Sequence, residues 1–201
     1  MTGFLILRIE PVSHKSKKSW IRFDGAEDLC LYRSEVYKLG WSEGMLVPKS
    51  EYDRLVRQVL LPRAKSRALH LLEKQDRTSA DLADKLSSGG YPQEAVEEAV
   101  AYAASYHYID DERYARNYVR YHKAGRSRRK VAMELRNKGV DRELIEQALA
   151  EEYDTDERTL ILALLDKRHY DAEQADYQER SRMYRYLASR GFDSDAIREV
   201  I

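Results

Sequence analysis

The sequence predicts a mainly α protein with three tandem three-helix, helix-turn-helix-like modules in an elongated array. A small N-terminal β-meander or hairpin with one or two helices precedes them. This prediction has two bases: one phrase of fifteen residues occurs three times without a gap, and the chain before the repeats is β-prone. The spacings of 49 and 52 residues are typical of arrays of supersecondary units. The copies read LSSGGYPQEAVEEAV from Leu86, LRNKGVDRELIEQAL from Leu135 and LASRGFDSDAIREVI from Leu187.

Each copy of the phrase predicts a turn between two helices. A glycine follows the leucine by four positions, and glycine takes the left-handed conformation past a helix end at no steric cost. An apolar residue comes next and pairs with another five places on, as in a hydrophobic staple. The glycines are Gly90, Gly139 and Gly191, and the staples are Tyr91–Val96, Val140–Ile145 and Phe192–Ile197.

The N-terminal part has a different pattern, in which short apolar runs rich in β-formers alternate with polar turns. The predicted elements are strands at 4–9, 19–23 and 28–31, helices at 34–39 and from near Ser50, and a loop at 41–44. Lys15, Lys17 and Lys18 lie in the link between the first two strands. They fit a nucleic-acid contact or a solvated hairpin loop, and we favour the loop.

The rest of the chain is predicted to be helical from about Pro62. Capping residues and glycines predict helices at 64–73, 92–106, 110–123, 128–138, 142–152 and 179–190. A further helix is predicted from the Thr78 cap to Gly89, and the last helix ends with the chain. The predicted domains are a β-containing extension at 1–60 and three-helix modules at 61–109, 110–153 and 154–201.

The net charge of zero conceals strong segregation of charge along the chain. A surface selected only for solubility would mix its signs, so the blocks suggest one face for a polyanion and others that repel it or meet a basic partner. The net charges are +5 for 1–68, −7 for 69–112, +9 for 113–142, −9 for 143–179 and +2 for 180–201.

Composition and motifs argue against several classes of protein. Cys30 is the single cysteine, which excludes an intrachain disulfide and suits a reducing cytoplasm. We find no signal-peptide pattern and no apolar run near the ~20 residues of a membrane span. The acidic runs at 110–112 and 154–157 could suggest a metal site, but both lie where helices begin, so capping explains them. With no nucleophile–base pair or phosphate loop, we expect no enzyme, no catalytic residues, no cofactor and no metal.

Tyrosines are concentrated around the join of the first two modules. Such residues serve as base-stacking platforms in some single-strand-binding proteins. Packing is the favoured interpretation, because Tyr114 and Tyr118 form a helical stripe with Ala115, Val119 and His122. The tyrosines are Tyr102, Tyr106, Tyr108, Tyr114, Tyr118 and Tyr121.

One helix and the turn after it carry the main candidate binding site. Basic residues recur on one helical face and continue past Gly125 into the first turn of the next helix, where the helix dipole disfavours cations. Cations beside free backbone N–H groups fit a phosphate or a partner carboxylate, although a merely solvated basic face is the alternative. The predicted partner- or DNA-binding residues are Arg113, Arg116, Arg120, Lys123, Arg126, Arg128, Arg129, Lys130 and Lys138.

Three motifs, in this order and spacing, resemble the RecX family of bacterial regulators of the recombinase RecA. The motifs are Tyr108-Ile-Asp-Asp-Glu-Arg-Tyr-Ala115, Leu135-Arg-Asn-Lys-Gly-Val140 and Tyr186-Leu-Ala-Ser-Arg-Gly-Phe192. The resemblance covers about residues 62–201, and the N-terminal part is similar to the extension of longer members. One departure is Gly89, which stands where the later copies have Lys138 and Arg190. If that position meets DNA or filament, the first module contributes less.

The resemblance implies a cytoplasmic, non-catalytic protein of DNA repair, recombination and the SOS response. Such proteins lie along the groove of the RecA–single-stranded-DNA filament and reduce ATP hydrolysis, strand exchange and coprotease activity. The implied partners are the RecA filament and single-stranded DNA, with weaker binding to duplex DNA and none to membranes. We expect a monomer, because a capped array has no need to self-associate.

Two other functions remain open from the residues alone. The first is a stand-alone DNA-binding helix-turn-helix protein, transcriptional or architectural, which would normally pair recognition helices across a dimer. The acidic third helices, with Glu97 and Glu146 among their residues, argue against insertion into a groove. The second is a purely structural adaptor.

Overall fold

The computed structural model describes residues 3–201 and separates into two compact units, which divide between Ile109 and Asp110. The first unit contains β1 (Gly3–Pro11), β2 (Lys18–Asp24), β3 (Leu29–Tyr32), α1 (Arg33–Leu39), β4 (Leu46–Pro48), α2 (Lys49–Leu55), α3 (Leu61–Leu72), α4 (Ser79–Ser88) and α5 (Gln93–Ser105). The second unit contains α6 (Asp111–His122), α7 (Arg128–Asn137), α8 (Arg142–Glu152), α9 (Glu157–Asp166), α10 (Tyr177–Ser189) and α11 (Ser194–Arg198).

The predicted fold class is confirmed: a small antiparallel sheet precedes three three-helix modules, α3–α5, α6–α8 and α9–α11. Each module has its own cluster of buried apolar side chains. Among residues 3–201, no helix is both long and apolar enough to cross a membrane. The four domain ranges stay a prediction.

The N-terminal sheet has the strand order β3-β2-β1-β4, with antiparallel pairing throughout. Ile21 and Phe23 of β2 alternate with polar residues and face the core, which is the period-two pattern of a half-buried strand. β4 was not predicted. Leu46, Val47 and Pro48 are all apolar, so this short segment shows no alternation in sequence, although only Val47 is buried; pairing with β1 defines the strand.

The helix before the first module is longer than predicted. Backbone helix runs without a break from Lys49 to Leu72, through a π-helical segment at Val56–Leu60. In that segment the Leu61 N–H donates to the Val56 carbonyl, five residues back. Pro62 follows directly, and it has no N–H to donate to the preceding turn. The helix therefore continues through the proline instead of beginning there.

The repeated turns are confirmed. Gly90, Gly139 and Gly191 have φ of 82°, 75° and 87°. The staple residues Val140 and Ile145 both lie in the second module's core, and Phe192 and Ile197 lie in that of the third. The last helix ends at Arg198, before the end of the chain, which corrects the prediction.

Gly191 also permits a close contact between the second and third modules. A Cβ atom at this position would lie 2.5 Å from Cβ of Lys130 and 2.8 Å from Oγ of Ser127. Ser127 donates from its N–H to the Arg190 carbonyl at 3.0 Å and from Oγ to the Gly191 carbonyl at 2.7 Å. The glycine turn of the third module is thus fixed to the N-terminus of α7.

Candidate nucleic-acid and partner interface

The predicted basic face lies on α6, opposite the buried Ala115 and Val119. Asp110 caps this helix by accepting a hydrogen bond from the Arg113 N–H at 2.8 Å, so the acidic run here does act in capping. The side chain of Arg113 is exposed at the start of the face. The amphipathic pattern therefore places the cations at the surface, as predicted.

Acidic side chains from the end of α8 neutralise most of this face. Arg116 lies 3.0 Å from Glu112 and 3.5 Å from Glu151, and Arg120 donates to Glu152 at 2.5 Å. Lys123 donates to the Glu152 carbonyl at 2.8 Å and lies 3.2 Å from Asp154. Arg120 lowers the pKa of Glu152, chiefly through this hydrogen bond. Part of the +9 block therefore pairs with part of the −9 block inside one module.

The cations beyond α6 are partly bound within the module as well. Arg126 pairs with Glu134 and donates to the Tyr118 hydroxyl at 3.2 Å. Arg128 donates to the Leu149 carbonyl at 3.2 Å, which places it against the end of α8. Lys138 lies 5.7 Å from the centre of the Tyr118 ring. These side chains have structural contacts in addition to any contact with a partner.

Three of the nine predicted site residues have no ion pair or side-chain hydrogen bond within residues 3–201. Arg113 and Arg129 are exposed, and Lys130 is partly exposed. Ser127 caps α7 by accepting from the Lys130 N–H at 3.2 Å, so Arg129 and Lys130 do occupy the first helical turn. The charges of these three residues of the second unit therefore remain available to a binding partner.

The tyrosines divide between packing and exposure. Tyr114 and Tyr118 pack against the core of the second module, as the favoured interpretation predicted. In the first unit, Tyr106 and Tyr108 are 59% and 53% exposed and stack with their rings 6.0 Å apart. Tyr121, in the second unit, is 84% exposed. Packing therefore explains part of the cluster only.

Two crevices of the second unit contain polar residues that the sequence analysis did not select. A crevice of about 790 Å³ lies between α7, the end of α8 with the loop into α9, and the turn before α11, and it carries both signs of charge, from Arg128 and Arg129 to Asp156 and Glu157. A second crevice, of about 770 Å³, is lined by cations at the end of α9. These cations have acidic neighbours in the sequence, so the charge count along the chain did not reveal them.

Within residues 3–201, no three His, Cys, Asp or Glu side chains are grouped to hold a metal ion.

These features define a modular helical protein, in which each three-helix unit has its own core and the surface carries charged and aromatic side chains. Three family models match the chain in order: the first three-helix domain of RecX at 64–102, the second at 110–149 and the third at 156–201. The chain belongs to the RecX family.

Relatives named "Regulatory protein RecX" share much of the sequence. The relative from Caldanaerobacter subterraneus subsp. tengcongensis is 29% identical over 188 residues, or 93% of each chain, so the match includes most of the N-terminal part. The relative from Vibrio parahaemolyticus is 33% identical over 135 residues, covering 67% of this chain and 86% of that one. By name, this is a family of regulatory proteins.

Two solved structures share the fold. One is described as "Crystal structure of regulatory protein RecX" and superposes with a TM-score of 0.55 at 23% identity, covering 98% of each chain. RecX from Lactobacillus salivarius gives a TM-score of 0.56 at 24% identity, covering 69% of this chain and 92% of that one.

Proposed function

We propose that this protein binds the filament that RecA forms on single-stranded DNA and inhibits RecA's ATPase, strand exchange and coprotease activity. The observation that carries the proposal is the ordered match of all three RecX domains over 64–201. The proposal includes a cytoplasmic, non-catalytic monomer that acts in DNA repair, recombination and the SOS response.

The modular construction supports this proposal. Separate cores let each module present its own surface, and contacts of modest strength combine when the modules are linked in one chain. A filament of identical subunits offers the same surface repeatedly. Successive modules can therefore contact successive subunits without any one of them binding tightly.

The ion pairs within the second unit reduce the set of residues that we assign to contact with the filament. Arg116, Arg120 and Lys123 already have acidic partners, so a polyanion would have to displace those pairs. Arg113, Arg129 and Lys130 need no such displacement, since they have no ion pair within residues 3–201. We propose that these three make the principal filament contacts on this surface.

The test is RecA's single-stranded-DNA-dependent ATP hydrolysis during titration with the full chain. The contact variant is Arg113→Glu/Arg129→Glu, and the control is Arg54→Glu/Arg142→Glu, which reverses two exposed charges elsewhere. We expect inhibition by the wild type and the control, and loss of inhibition in the contact variant. If the wild type leaves hydrolysis unchanged at equimolar levels, the proposed function is wrong. Equal inhibition by both variants would reject only the assigned contacts.

Stand-alone recognition of duplex DNA is the weaker alternative. Third helices that insert into a groove should be basic, whereas α8 carries exposed Glu143 and Glu146. A defined duplex site that the protein prefers over bulk DNA by ~10³ or more would favour this alternative.

A further inference from the structure

The basic crevice of the second unit is built from three parts of the chain. The end of α9 supplies Lys167, Arg168 and His169, α10 and the turn after it supply Tyr186 and Arg190, and the chain around Gly125 closes the third side. Its volume is about 770 Å³, and none of the residues that line it is acidic. A concave surface with one sign of charge concentrates counter-ions.

An aromatic ring holds two of these cations in place. Cζ of Arg168 lies 4.0 Å and Cζ of Arg190 lies 4.4 Å from the centre of the Tyr186 ring. Arg190 also donates from Nη1 to the Gly125 carbonyl at 2.7 Å, whereas its buried Nε has no hydrogen-bond partner. Apart from the buried Nε of Arg190, guanidinium groups fixed in this way have further N–H donors for an anion with several acceptors.

The helix dipole alone does not account for this cluster. It favours cations at the end of α9, which explains why Lys167 and Arg168 are tolerated there. It does not explain why the C-terminal ends of two helices meet at one ring: Arg190 is the C-cap of α10, Arg168 follows α9, and both lie over Tyr186. Unlike the face of α6, where Glu151 and Glu152 neutralise arginines, this crevice has cations without an ion pair within residues 3–201.

A crevice of the same construction occurs in the first unit. Its walls come from the first helix of a module, α3, from the glycine turn at Gly89, and from the chain before the module. Its volume is about 480 Å³, and again none of the lining residues is acidic. Lys18 lies 5.3 Å from the centre of the Tyr32 ring. The cations are Lys18, Arg63 and Arg67, with His70 beside them, and Arg63 already pairs with Glu35, which does not line the crevice. Two modules thus each combine cations and tyrosine in a crevice beside the first helix and the glycine turn.

We propose that these two crevices are phosphate-binding sites. A phosphate group has several acceptor oxygens and carries one or two negative charges. Both properties match clustered guanidinium and ammonium donors. The phosphate belongs either to the backbone of a single-stranded polynucleotide or to a free nucleotide. The proposal does not depend on RecA, and its test contains no recombinase.

The experiment measures binding of a labelled oligo(dT) to the full chain by fluorescence anisotropy over a range of salt concentrations. The second-unit crevice is changed by Lys167→Gln/Arg168→Gln, and the first-unit crevice by Lys18→Gln/Arg67→Gln. The control, Arg142→Gln/Arg158→Gln, removes the same number of charges from exposed positions outside both crevices. ATP and pyrophosphate are then tested as competitors. Circular dichroism confirms that every variant is folded.

For a polynucleotide, we expect each crevice variant to bind about fivefold or more weakly and its salt slope to fall by about 1.4, since each single-strand phosphate contact contributes about 0.7. The control should change little. Competition by ATP or pyrophosphate, or loss of their binding in a crevice variant while oligo(dT) binding is retained, would identify free nucleotide as a ligand. If the crevice variants match the control with all three ligands, the proposal is overturned.

Discussion

Replacing Gly191 by alanine tests the contact that joins the second and third modules. Gly191 has φ of 87°, so any other residue pays roughly 1–2 kcal/mol for the left-handed conformation. The new Cβ would also lie 2.5 Å from Cβ of Lys130, a backbone-anchored atom that cannot swing away. Overpacking of this kind costs roughly another 1–3 kcal/mol. We expect Gly191→Ala to destabilise the chain by about 2–5 kcal/mol.

Gly40 provides a matched control for the conformational part of that cost. It caps α1 in the same left-handed conformation, at φ of 68°, but a Cβ there would meet nothing within 4 Å. Gly40→Ala should therefore cost only about 1–2 kcal/mol. Denaturant unfolding followed by circular dichroism measures both, and hydrogen exchange of α7 and α10 locates the effect in the second unit. If the two variants are equally destabilised, the close contact at Gly191 carries no energy and our argument is wrong.

Three further predictions concern the second unit. Burial raises the pKa of Tyr153 from 10.0 to about 12. The stability that the protonated phenol contributes is therefore complete below pH ~10 and is lost as pH rises toward ~12. The stability of Tyr153→Phe, measured by unfolding as a function of pH, should lack this loss, and a pH profile equal to that of the wild type would contradict the prediction. Glu152→Gln should free Arg120 and strengthen oligo(dT) binding severalfold with little change in stability, because the Arg120 side chain is exposed and such ion pairs contribute little. Lys123 keeps its hydrogen bond to the backbone carbonyl of residue 152 and its ion pair with Asp154. Weaker binding in an anisotropy titration would refute this prediction. Asp156→Ala should cost about 1 kcal/mol, because its carboxylate accepts from the Thr159 N–H at 3.0 Å and caps α9; thermal unfolding identical to the wild type would show that the cap is dispensable.

Much of the helical fold was predictable because its determinants are local. Glycine turns, acidic caps and staples lie within a few residues of one another, so the boundaries of α8 at Arg142 and Glu152 matched the prediction. β4 and the continuous helix across Pro62 were not predictable, because pairing with a distant strand and a π-helical segment determine them.

The candidate site was predictable only in its sequence position. Spacing put Arg116 and Arg120 on one face, but no local signal showed that Glu151 and Glu152 return to that face 35 and 32 residues later. Lys167 and Arg168 were missed because acidic neighbours in sequence cancel their charge in any count along the chain. Packing of α10 against α9 brings Arg168 to Tyr186 and places Lys167 in the same crevice.

The central claim is that the protein recognises the RecA–DNA filament as an assembly. Co-sedimentation of the full chain with preformed filaments, compared with RecA alone and single-stranded DNA alone, tests it most directly. We predict saturable binding to the filament at concentrations where either component alone binds weakly. Binding to bare DNA that equals or exceeds binding to the filament would contradict the claim and favour a stand-alone DNA-binding protein.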